Sequence, residues 1–174
     1  VESKIKLLGH PAHQIMVAFP IGLLGTAALF DAGRAFLGNP MLAAVAYYMI
    51  GAGVAGGLVA AVFGLIDYLA IPAGTRAKRV GALHGIASTT TVLSFGVSWL
   101  LRTGDPESPL PLALLFSFGG VTLLGLAGWL GGELLNRMGV GIDDGANLDA
   151  PSSLSGRVTL GPALARPESA HLNP

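Results

Sequence analysis

Residues 41–66 read MLAAVAYYMIGAGVAGGLVAAVFGLI, a run without a single charged side chain. A helix crossing the hydrocarbon core of a bilayer needs about 20 mainly apolar residues. This run exceeds that, and its helix is expected to continue to about Ile71. Three further stretches read the same way. Residues 14–30 are charge-free, within a helix expected from about Pro11 to Phe36; residues 80–101 are broken only by His84; residues 110–132 complete the set. Turn chemistry separates them: Gly38-Asn39-Pro40, Pro72-Ala73-Gly74 and Asp105-Pro106-Glu107-Ser108-Pro109. The first span lacks a clear small-residue cleavage site, which argues against a cleavable signal peptide. The expected fold is all-α: an integral membrane four-helix bundle, up-down-up-down, over residues 1–137. Residues 138–174 are expected to form an extended polar tail.

Composition supports this reading. Hydrophobic residues make up 52% of the 174 positions and charged ones 11%, against roughly 25% charge in a soluble domain. Mean hydropathy is +0.65. Ten basic and ten acidic residues cancel, so the basic face that nucleic acid requires is lacking. With no cysteine, disulfides, thiolate metal sites and thiol nucleophiles are excluded. Four spans put both termini and the loop between the second and third on one side. That side carries Lys4, Lys6, Arg76, Lys78, Arg79 and Arg137, the other only Arg34 and Arg102. The positive-inside bias places both termini in the cytoplasm.

Twenty-six glycines form a second signal, many of them within spans. Small residues let membrane helices approach closely; they also make room for a flat cofactor. Composition does not separate the two.

Polar side chains inside spans are costly and mark function. At 100° per residue, His13, Pro20, Leu24, Ala27 and Asp31 share one face of the first span. His84, Ser88, Thr91, Ser98 and Arg102 share one face of the third. Each histidine stands 18 positions before its charged partner. The two spans run the same way, so His13 lies level with His84 near the inner surface and Asp31 level with Arg102 near the outer one. Asp67 and Glu133 fall at the inner level as well. His10, His13, Asp67, His84 and Glu133 together make a ligand set suited to zinc, iron or manganese. His13 and His84 alone make the axial pair of a b-type haem. The structural alternatives are specific. Glu133 pairs with Arg137 at i,i+4, Asp67 pairs with Arg76 or Arg79, Asp31 and Arg102 form a structural ion pair, and His10-Pro11 marks a helix entry. The acidic stretch Asp143 to Asp149 does not match a calcium loop, and Ser88-Thr89-Thr90-Thr91 lacks an activating neighbour.

His10-Pro11-Ala12-His13, Phe19-Pro20-Ile21-Gly22, Asp67-Tyr68, His84-Gly85 and Trp129-Leu130-Gly131-Gly132-Glu133-Leu134, followed by Gly139-Val140-Gly141, resemble a bacterial family of four-span inner-membrane proteins. That family is a predicted membrane domain of unknown function, also found fused to Rieske-type iron–sulfur modules. The likeness covers about residues 8 to 149. It implies a bacterial inner-membrane location and a redox setting.

The expected function is therefore a subunit of a membrane assembly associated with electron transfer, with haem b or a non-haem zinc or iron ion near the cytoplasmic face. The alternative is an accessory or scaffold subunit with no cofactor. A solute carrier with Ser88, Thr91 and Ser98 as a polar track is a third reading, disfavoured because no inverted repeat is visible. Pro151, Pro162, Pro167 and Pro174, with Ser152, Ser153 and Ser155, make the tail extended. Such a tail, lacking a core of its own, is expected to lie on a partner surface. The expected partners are membrane lipid and other subunits, not nucleic acid.

Overall fold

The helix boundaries follow from local chemistry. In the computed structural model, which describes residues 1–155, α1 (Ala12–Leu37) ends at Gly38. Gly38 takes a left-handed φ of 69° and returns its N–H to the Arg34 carbonyl, a conformation that costs glycine nothing. The Asn39 side chain then accepts from Met41 N, and Pro40 opens α2 (Pro40–Ala70), as a missing N–H permits at a first helical position. Thr75 caps α3 (Arg76–Leu100) by accepting from Lys78 N, and Pro111 opens α4 (Pro111–Gly132). A five-residue π-helical segment, Glu133–Arg137, continues α4. The four spans contain 26, 31, 25 and 27 residues when α4 is taken through Arg137. At 1.5 Å per residue each is longer than the ~30 Å core of a bilayer. The chain is a multi-pass membrane protein.

The four helices pack in sequence as an up-down bundle. α1 lies along α2 and α3 along α4, and the two hairpins meet through α2 and α3 and, less extensively, α1 and α4. α1 runs unbroken through Pro20. Lipid tails are as apolar as leucine, so helix association rests on close packing and internal hydrogen bonds. Leu24, Ala27, Ala46, Ile50 and Phe95 form the main buried cluster, while Phe36, Leu29, Tyr48 and Leu115 point outward. Gly53 accepts the Leu24 side chain and Gly120 the Phe95 ring. By contrast, a Cβ at Gly22, Gly25, Gly119, Gly125 or Gly128 would meet nothing within 4 Å. These glycines are not packing positions among the described residues.

One end of the bundle carries a polar cap. β1 (Lys6–Leu7) pairs antiparallel with β2 (His10–Pro11) through a turn at Leu8 and Gly9, both with positive φ. His10 thus sits in a surface strand, and the helix begins two residues after it. Residues 139–155 contain no helix or strand, yet they dock on this segment. Lys6 Nζ lies 2.7 Å from Asp143 and 3.0 Å from Glu2, Glu2 accepts from Asp144 N, and Ser153 donates to the Leu8 carbonyl. The rest of the tail, 156–174, lies outside the described residues.

The Asp144 N–H, and after it Lys6, hold the Glu2 carboxyl below its usual pKa. Asp143, and after it Glu2, hold the Lys6 ammonium above its usual value. The Glu2 contribution is present above the ordinary glutamate range and is lost as pH falls through its lowered pKa. The Lys6 contribution is present below the ordinary lysine range and is lost as pH rises through its raised pKa. Protection of the Asp144 amide from hydrogen exchange is therefore expected to fall on acidification. Constant protection, after correction for intrinsic exchange, would show that Glu2 does not hold the segment.

Candidate functional site

His13 on α1 and His84 on α3 face one another across the bundle. Their ring centroids are 6.3 Å apart and the rings are nearly perpendicular, at 84°. Each ring is fixed from outside by the neighbouring helix of its own hairpin. His13 Nδ1 lies 3.0 Å from the Ala60 carbonyl on α2, and His84 Nδ1 lies 2.9 Å from the Ala127 carbonyl on α4. A carbonyl only accepts, so in both rings Nδ1 donates, and in a neutral imidazole Nε2 is then the nitrogen with the lone pair. Neither Nε2 has a protein partner among the described residues. This tautomer is the one metal-ligating histidines adopt, with the far nitrogen steered by a backbone carbonyl.

Glycines back both rings. A Cβ on Gly64 would fall 2.8 Å from His13 Cε1, and one on Gly131 would fall 3.2 Å from His84 Cε1. The first distance forces a shift and the second only a small adjustment. Gly64→Ala is expected to destabilise by about 1–3 kcal/mol through overpacking, despite the ~1 kcal/mol helix propensity alanine gains. Gly131→Ala should sit near wild type. Thermal unfolding in detergent reads the difference, and equal effects would contradict the ring placement.

The other three residues of the expected ligand set have different company. Asp67 accepts from Ser3 Oγ at 2.9 and 2.8 Å and from Lys4 N at 2.8 Å; it pins the N-terminal segment rather than pairing with Arg76 or Arg79. Glu133 meets Arg76 at 3.3 Å, not Arg137. His10 is exposed and lines a surface pocket of about 200 Å³ with Asp143, Asn147 and Ser153. Among the described residues, no three histidine, aspartate or glutamate side chains are grouped so as to hold a metal ion. The structure brings the two imidazoles together and gives Asp67 and Glu133 other partners.

At the opposite end, Arg102 and Asp31 form a bidentate pair, Nη1 to Oδ1 at 2.6 Å and Nη2 to Oδ2 at 2.8 Å. Both side chains are fully buried. Ser117 Oγ donates to Asp31 Oδ2 at 2.7 Å, and Arg102 Nη2 donates to Ser98 Oγ at 3.1 Å. Sequence reasoning anticipated the ion pair but not Ser117. Its helix shows no polar stripe: it has two hydroxyls, Ser117 and Thr122, five positions apart, and Thr122 bonds back to the Phe118 carbonyl of its own helix.

No curated protein and no solved structure matches this chain. A family model described as a predicted membrane protein, DUF2231, matches residues 9–144. The match takes in all four helices, both facing imidazoles and the buried ion pair. The four apolar spans agree with this match: the chain belongs to the DUF2231 family of predicted membrane proteins.

Proposed function

We propose that this protein is an electron-transfer subunit of a membrane assembly and holds a b-type haem between His13 and His84. The separation of the imidazoles carries the reading. An imidazole nitrogen binds a transition metal at about 2.0–2.1 Å, and the ring centroid lies about 1.1 Å beyond it. Two imidazoles on opposite sides of one metal therefore bring their centroids to about 6.3 Å, the value found here. The tautomer supports it too, since both Nε2 atoms keep their lone pairs. Haem, when bound, supplies reversible one-electron transfer. His13 and His84 would be the two residues that hold it, which favours electron transfer over oxygen chemistry.

A non-haem zinc or iron ion is the weaker choice. Such ions take further ligands, and Asp67 and Glu133 are engaged elsewhere. Orientation follows from charge. The imidazole end carries Lys4, Lys6, Arg76, Lys78, Arg79 and Arg137; the other end has Arg34 and the fully buried Arg102. Excess positive charge favours placing the histidines toward the cytoplasm.

The test is spectroscopic. Purified protein titrated with haemin should take up one equivalent and give the sharp Soret band of a six-coordinate low-spin iron. Perpendicular imidazoles further predict a strongly anisotropic ferric EPR signal with one large g value. Stoichiometric zinc or iron without a Soret band would replace haem by a non-haem ion. No uptake of either would leave a scaffold subunit held together by polar contacts.

A further inference from the structure

The contacts around the two histidines repeat. His13 and His84 are 71 positions apart, as are Asp31 and Arg102. Their carbonyl partners Ala60 and Ala127 are 67 positions apart, and so are the backing glycines Gly64 and Gly131. The same offsets relate Leu24 seated on Gly53 to Phe95 seated on Gly120. They also relate Ala27 to Ser98 and Ile50 to Ser117, all four fully buried. One offset for α1 with α3 and another for α2 with α4 is what two copies of one hairpin would show.

We infer that the four spans are a tandem duplication of a two-helix unit, and that the pseudo-two-fold axis relating the copies passes between His13 and His84. The axis runs along the bundle, because α1 and α3 point the same way. Repeats related in this manner are one of the two ways membrane bundles are doubled. A ligand seated on such an axis sees the same imidazole, carbonyl and glycine from either side. The site therefore takes a group with two chemically equivalent faces; this part rests on the haem reading, whereas the duplication does not. The Asp31–Arg102 pair lies on the same axis and is where the copies differ most. The first hairpin contributes only the acid, the second the base and both hydroxyls, Ser98 and Ser117. Opposite charges make each hairpin the partner of the other and the wrong partner for itself.

Symmetry predicts that the polar network can be built with the two hairpins exchanged. Asp31→Arg with Arg102→Asp reverses the charges but leaves the hydroxyls on the wrong helices. Adding Ala27→Ser, Ser98→Ala, Ile50→Ser and Ser117→Ile moves each hydroxyl to its equivalent position. Thermal unfolding of the full chain in detergent, without haem, is expected to place the six-residue exchange near wild type and the two-residue reversal well below it. A gentler pair, Leu24→Phe with Phe95→Leu, should likewise be more stable than either of its single changes. Recovery in either exchange supports the duplication. If the six-residue exchange is no better than the charge reversal, and the Leu24/Phe95 exchange no better than its singles, the duplication is overturned. A haem titration that failed while the exchanges recovered would sink only the haem reading.

Discussion

Asp31→Ala is expected to destabilise the protein by about 3–5 kcal/mol, the scale for removing one partner of a buried ion pair. The loss arises from what is stranded. Arg102 is fully buried, and guanidinium does not deprotonate in proteins. Without the carboxylate, two of its nitrogens lose bonds of 2.6 and 2.8 Å while Nε already has no partner among the described residues. Ser117 loses its acceptor as well. Hydrocarbon offers no water to replace these bonds. Arg102→Ala should cost a similar amount, because it leaves a buried carboxylate with only Ser117. Removing both charges together, as in Asp31→Leu with Arg102→Met, should recover most of the loss, since apolar replacement of a buried pair is often neutral. Denaturant unfolding in mixed micelles reads all three. A loss for Asp31→Ala below about 1 kcal/mol, the range of exposed pairs, would mean that the pair is solvated in the membrane.

Much of this architecture can be read from residue order. Charge-free runs between turn residues mark the four spans, because hydrocarbon tolerates few alternatives. The common 18-residue spacing brings His13 opposite His84 and Asp31 opposite Arg102. What escapes the sequence depends on backbone detail. Asp67 is claimed by Ser3 and Lys4 because the N-terminal segment folds back at Leu8 and Gly9, a turn that hydropathy does not register. Glu133 and Arg137 have helical i,i+4 spacing, but the segment joining them is π-helical. Its wider turn takes the fourth residue out of register, leaving Glu133 to Arg76. The duplication is hidden for a related reason. Its two offsets differ, and lipid-facing positions are free to diverge, so the repeat survives only where helices touch.

The second large effect is expected at the imidazoles. His13→Ala and His84→Ala should each abolish the six-coordinate low-spin spectrum, and by nearly the same amount, since each ring has an equivalent carbonyl and glycine behind it. Even loss of a residue behind a metal ligand costs 10–100-fold in affinity, so loss of a ligand itself should exceed about 100-fold. Stability offers an independent reading. Haem at ~100 times its Kd would raise the unfolding free energy of the wild type by about 2.7 kcal/mol, and neither variant should gain that increment. His10→Ala is the matched control: an exposed strand residue, it should leave both spectrum and increment unchanged. Asp67→Asn separates the roles further, because it weakens the bonds to Ser3 and Lys4 without touching either ring. If His84→Ala kept the low-spin band, the paired imidazoles would be a packing contact and not the ligands.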